Sequence, residues 1–168
     1  MTTTRYHAGG AVVAAADENA HRVLVVGGLG AHNALLDSCE LDDAAADRWS
    51  LQQARLPQAM CCCAASIAGG SAVLAVEWYD YEKTRCVLLD VRSSSPAGQP
   101  MTSPERARCY HAVAAVGEHS VVMLGGYDVH CNSTDTVQLY DVRADRWAER
   151  PEWRLPTLSS SHCTVVIE

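Results

Sequence analysis

The residues best equipped for chemistry in this 168-residue chain are its eight cysteines and a scatter of histidines, serines and acids. Cys61, Cys62 and Cys63 are consecutive, and neighbours on a strand point to opposite faces, so the three cannot converge on one ion. Asp128, His130 and Cys131 are close in sequence, as are Cys109 and His111. No Cys-x-x-Cys pair is matched by a second, so no metal site is expected. Ser161 and His162 are neighbours that a strand would send apart, and no nucleophile elbow is present. Gly27-Gly28-Leu29-Gly30 lacks the Gly-x-x-Gly extension and the following helix of a dinucleotide loop. The residues thus point to no catalytic group and no cofactor. A run of three cysteines fits no disulfide framework, so the thiols are expected to be reduced, to act as small buried hydrophobes, and to sit in a cytoplasmic protein.

Composition narrows the partners. The formal net charge is -7 and only 13 residues are Lys or Arg, which argues against binding nucleic acid or an anionic membrane surface. No apolar run reaches the roughly 20 residues needed to span a bilayer. Gly9 to Ala16 has the look of a short signal-peptide core, but it also fits an internal repeat, and the repeat is the expected reading.

The repeat positions everything else. Ala46-Asp47-Arg48-Trp49 returns as Ala144-Asp145-Arg146-Trp147, and Val23 to Gly28 returns as Val121 to Gly126, both 98 residues on. A middle copy lies 49 residues from each: Ala72 to Glu77, with Val76-Glu77 where the others have Gly-Gly. Cys86 to Asp90 matches Cys39 to Asp43 at an offset of 47, and Pro96 stands where a Trp is expected. Tyr110-His111 aligns with Tyr6-His7, and Ser161-His162 has the same character, which would give His7, His111 and His162 one repeat position. Three units follow, at about 1–53, 54–104 and 105–154, with the start of a fourth at 155–168.

Each unit reads as four short strands rich in Val, Leu and small residues, split by Gly, Asp, Asn and Pro. They are expected near 7–15, 22–28, 36–42 and 47–52; near 60–68, 72–78 and 84–91, with a weak or missing fourth strand around 97–102; near 108–116, 119–126, 136–142 and 146–150; and from 161 onward. Continuous apolar runs such as Val23 to Val26 suit strands buried on both faces. The polar stretch Ser93 to Pro104 reads as a flexible insertion carrying Ser-Pro phosphorylation candidates.

An apolar run ending in Gly-Gly, then a Tyr-Asp pair, then a Trp resembles the kelch repeat. The matching residues are Gly27-Gly28, Leu41-Asp42-Asp43 and Trp49, then Gly125-Gly126, Tyr140-Asp141 and Trp147. The resemblance implies an all-β kelch-type propeller, here partial, with three four-stranded blades plus one strand. Gly27, Gly28, Trp49, Gly125, Gly126 and Trp147 are then structural. Closed propellers typically have four to eight blades. The chain is therefore expected to be a fragment of a longer ring, to close with another copy or a partner, or to form a small four-bladed ring.

The same resemblance places the ligand surface on one loop face. Loops between second and third strands would be Leu29 to Leu35, Trp78 to Thr84 and Tyr127 to Asp135. Loops linking blades would be Gln53 to Ala59, Ser93 to Arg106 and Pro151 to Ser160. The candidate partner-binding residues are His32, Asn33, Trp78, Tyr79, Tyr81, Lys83, Tyr127, Asp128, His130 and Arg154, since Trp, Tyr and Arg dominate protein interfaces. The expected function is a protein-interaction module or scaffold with a protein partner. The alternatives are a propeller enzyme of the metal-oxidase or sugar-mutarotase type, and a truncated structural subunit of a larger assembly.

Overall fold

Alternation of apolar and polar residues, broken by Gly, Asp and Asn turns, produces three four-stranded antiparallel sheets. The computed structural model describes residues 1–14, 21–44, 46–93 and 97–161. The first blade holds β1 (Gly9–Ala14), β2 (His21–Val26), β3 (Ser38–Asp43) and β4 (Arg48–Arg55). The second holds β5 (Cys62–Ile67), β6 (Ala72–Glu77), β7 (Cys86–Asp90) and β8 (Gln99–Met101). The third holds β9 (Ala112–Ala115), β10 (Ser120–Leu124), β11 (Thr134–Asp141) and β12 (Arg146–Ser159). In each, consecutive strands are neighbours, so every blade is a meander. Of the fourth unit expected at 155–168, residues 155–159 belong to β12, while 162–168, with His162 and Cys163, lie outside the described residues, as does Pro96.

The blades stack side by side through their first strands, with β1 against β5 and β5 against β9. These strands are built from small residues because the blades converge there. A Cβ on Gly9 would sit 2.9 Å from the Cβ of Ala64. Cys62 and Cys63 fill the two crowded seams on opposite faces of blade two, their thiols donating to the carbonyl oxygens of Val26 in blade one and His111 in blade three, each at 3.3 Å. Burial pushes the Cys63 thiol up to about 12 and Cys62 higher still. The described cysteines are unbridged.

Blade two is buried on both faces. Val73, Ala75, Val87 and Leu89 pack with Ala11, Val13, Leu24, Val26 and Cys39 of blade one. Its other face, Ala65, Ile67, Leu74, Val76 and Cys86, packs with Val113, Val121, Met123 and Tyr140 of blade three. At about 25 cal/mol per Å² of apolar area, these two interfaces supply the main cohesion of the molecule.

The fourth strand of blade two is present, contrary to the sequence expectation: Gln99, Pro100 and Met101 pair with Leu88, Val87 and Cys86. A proline hides this strand from propensity, but β8 is outermost and can lack a ladder donor on its free side. The same reasoning explains β12, which runs to Ser159 through Pro151 and Pro156. The segment Pro151 to Ser160 is therefore mostly strand, paired with β11 across two register shifts. Similarly, β4 reaches Arg55 into the segment expected as a loop from Gln53.

Register corrects one alignment and upholds another. Tyr6 bridges Leu29 as Cys109 bridges Tyr127, so the first strands of blades one and three are related by 103 residues, and His7 matches Tyr110 while Ala8 matches His111. His7 and His111 do not share a repeat position. Val76 pairs with Cys86 as Val26 pairs with Cys39, and each cysteine faces the next blade, so the third strand of blade two keeps the offset of 47.

Candidate functional site

The glycine pairs bend the chain where the second strands end. Gly27 and Gly28 have φ of 61° and 95°, and Gly125 and Gly126 have 58° and 92°, a region open to glycine and strained for other residues. Space forbids a side chain as well: a Cβ on Gly28 would lie 2.7 Å from the Tyr6 carbonyl oxygen, and one on Gly126 would lie 2.6 Å from that of Cys109. The first strand of each of these blades, which pairs alongside, is entered through a matching left-handed residue, His7 (φ 53°) or Tyr110 (φ 54°). Blade two has neither device. Val76 and Glu77 extend β6 as a regular ladder, and buried Glu77 accepts from the guanidinium Nε of Arg85 at 2.5 Å.

These bends throw aromatic side chains onto one face. His7 stacks on Trp78 with ring centres 4.8 Å apart, and Trp78 meets Tyr110 edge-on at 4.6 Å. Tyr110 also touches Tyr79 at 5.9 Å, Tyr81 at 6.3 Å and Tyr127 at 5.9 Å. Tyr6 extends the row beyond His7 at 5.1 Å, and its hydroxyl donates to Asn33 Oδ1. Seven rings from four chain segments make one continuous row, with Tyr110 as its hub. Its backbone is anchored from both sides, the Tyr110 amide donating to Trp78 O at 2.9 Å and the Ser161 amide to Tyr110 O at 2.8 Å.

Of the predicted residues, Trp78, Tyr79, Tyr81 and Tyr127 belong to the row, and Asn33 joins it through Tyr6. His32 lies in the same short 3-10 turn (Ala31–Asn33) and is exposed. Lys83 is exposed beyond Tyr81, its amide capped by Asp80 Oδ1 at 3.2 Å. Asp128 shapes its own loop: Oδ1 accepts from the amides of His130 and Asn132, each at 2.9 Å. Arg154 stands on β12 and is held by Asp135 at 2.8 Å. Sequence reasoning misses Tyr6, His7 and Tyr110. The available signal was the second residue after Arg5 and Arg108, where the chain turns left-handed.

Two clefts open among these loops. One, of about 450 Å³, is lined by Leu35, Cys61, Tyr79 and Tyr81 with Glu77 and Arg85. The other, of about 470 Å³, lies where Arg108, Arg106, Asp128, His130, Thr134 and Thr136 meet. Hydrogen bonding with the Cys109 thiol, followed by burial, raises the Tyr81 hydroxyl above its ordinary pKa. Among the described residues no three of His, Cys, Asp or Glu are placed to hold a metal ion. No helix among them is long and apolar enough to cross a membrane.

The structural tryptophans behave differently. Trp147 closes the seam between blades, its indole N–H donating to Thr102 O at 2.9 Å while its ring lies on Tyr140 at 4.8 Å. Trp49, expected to do the same, is half-buried and has no blade to cover.

The kelch motif family matches residues 107–152, which take in most of the third blade. No curated protein matches the chain. The motif match and the three stacked four-stranded meander blades are consistent with a partial kelch-type propeller fold.

Proposed function

We propose that the chain is a protein-interaction module whose docking surface is the aromatic row from Tyr6 to Tyr127. The row carries the reading: rigid, partly exposed rings supply large apolar contact area at little conformational cost, and their hydroxyls give direction. Clefts on the same loops offer room for side chains of a partner. The test is affinity purification with quantitative mass spectrometry. Tyr79→Ala and Tyr110→Ala are expected to lose the same recovered proteins, at least about tenfold, while Trp153→Ala on β12 keeps them. If all three variants recover what the wild type recovers, the row is not the docking surface.

A second surface is favoured by a separate observation. Val12, Val23, Asp42 and Trp49 lie side by side across blade one, and their repeat equivalents in blade three are Ala115, Val121, Tyr140 and Trp147. Blade two covers that row in blade three, where Val121 and Tyr140 are 0% exposed. On blade one the same row is open, with Val12 at 53% and Val23 at 38%. This face is shaped for a further blade, and a second copy of the chain could supply one from blade three.

A further inference from the structure

In blade one, Arg5 is buried and both of its terminal guanidinium nitrogens are bonded, while its Nε has no partner among the described residues. It donates to Gly27 O at 2.9 Å, Ser38 O at 3.0 Å and Glu40 Oε1 at 2.7 Å. Glu40, 0% exposed, also accepts from the Thr2 amide and hydroxyl and the Thr3 amide. Repeat register identifies the equivalents. Glu40 lies between Val25 and Leu51, as Gln138 lies between Met123 and Glu149. Arg108 precedes the Cys109–Tyr127 bridge as Arg5 precedes the Tyr6–Leu29 bridge. In blade two both positions are apolar, Met60 and Val87, which share the face towards blade one. Blade three alone keeps the arginine and lacks the acid.

The consequence is visible in the coordinates. Arg108 is only 4% exposed, and among the described residues its Nε and Nη1 have no hydrogen-bond partner and the amide nitrogen of Gln138 has none either. No carboxylate of the described chain forms an ion pair with Arg108, and the nearby acids are engaged elsewhere: Glu149 by Arg106, Asp135 by Arg154, and Asp128 by its own loop amides. Burial lowers the Arg108 pKa, the sign of an under-compensated charge. Arg108 also lines the cleft of about 470 Å³. By the repeat offset, the positions of Thr2 and Thr3, which collar Glu40 in blade one, fall to Glu105 and Arg106, and both line this cleft. Removing one partner of a buried ion pair costs several kcal/mol, whereas replacing both with apolar groups is often neutral. Blade two took the neutral course and blade three did not.

We propose that the cleft between Arg106, Arg108 and His130 is a binding site for a single carboxylate group, which takes the place that Glu40 fills in blade one. Glu82, Glu105 and Asp128 on the cleft walls disfavour polyanions and leave room for one acid reaching inward. Two sources share this chemistry, a free small acid and a Glu or Asp side chain of a peptide. The inference is independent of the aromatic row.

The experiment titrates the full chain at low ionic strength by calorimetry with succinate, with the peptide acetyl-Gly-Glu-Gly-amide, and with its Gln counterpart. Wild type is expected to bind at least one carboxylate probe about tenfold more tightly than the Gln peptide. Gln138→Glu supplies the acid internally, and Arg108→Met with Gln138→Val reproduces blade two. Both are expected to lose carboxylate binding about tenfold or more, with Gln138→Glu raising Tm by roughly 2–4 °C. A tighter succinate complex assigns the site to a small acid, and a tighter peptide complex to a side chain. Equal titration of wild type and variants, no response to either acid, or a lowered Tm in Gln138→Glu overturns the proposal.

Discussion

At the scale of single residues, the buried pair of Arg5 and Glu40 sets the pH response of blade one. Burial alone would raise the Glu40 carboxyl, but donors from Thr2, Arg5 and Thr3 outweigh it and hold it at about 2, against an ordinary value of 4.5. A carboxylate depressed on folding stabilises the fold above its unfolded pKa and loses that contribution as pH falls through the folded one. Blade one is therefore expected to weaken between about pH 4.5 and about 2. Glu40→Gln should flatten this part of an acid-unfolding curve monitored by circular dichroism. At neutral pH it should cost about 3–5 kcal/mol, because it strands Arg5 as a buried cation. An unchanged acid limb would show that Glu40 is not the group responsible.

At the scale of elements, the glycine pair, the left-handed residue and the approach of the next strand form one device. Gly126→Ala places a methyl group 2.6 Å from Cys109 O at φ 92°. Denaturant unfolding is expected to show a loss of more than about 1 kcal/mol, from strain and clash together. An equal change at Gly69, which has open space around its Cβ, removes the clash and leaves only the φ of 63°. Much of this level was legible in the sequence. Gly-Gly, Tyr-Asp and Trp at a shared offset of 98 place the second to fourth strands of blades one and three within a few residues. The first strands were misaligned by one residue, because the register is set by a backbone conformation shared by His7 and Tyr110, not by residue type. The strands β8 and β12 were clipped, since proline is a poor guide to an outermost strand. The aromatic row was half legible: its loop members stand out by composition, while Tyr6, His7 and Tyr110 join it only through contacts between distant segments.

At the scale of the whole molecule, blade two is satisfied on both faces and blade one is not. The open row of Val12, Val23 and Trp49 matches the face that blade three buries against blade two. Light scattering of the wild type is expected to give a mass that rises above 18.1 kDa with concentration. Val23→Asp should return it to that of a single chain by placing a charge in the seam. A wild-type mass fixed at 18.1 kDa at all concentrations would rule out pairing through this face. The two surfaces divide the work: one is apolar and blade-shaped, the other aromatic and loop-borne.

The three blades, set in order, also constrain how such a repeat can change. The same two positions hold Arg5 with Glu40, Met60 with Val87, and Arg108 with Gln138. Any path by single substitutions from the ionic blade to the apolar one passes through a blade with one unmatched partner. That blade is unstable unless something outside the chain completes it. A repeat array can thus acquire a ligand before it acquires any residue selected to hold one, and the third blade stands at that point of the path.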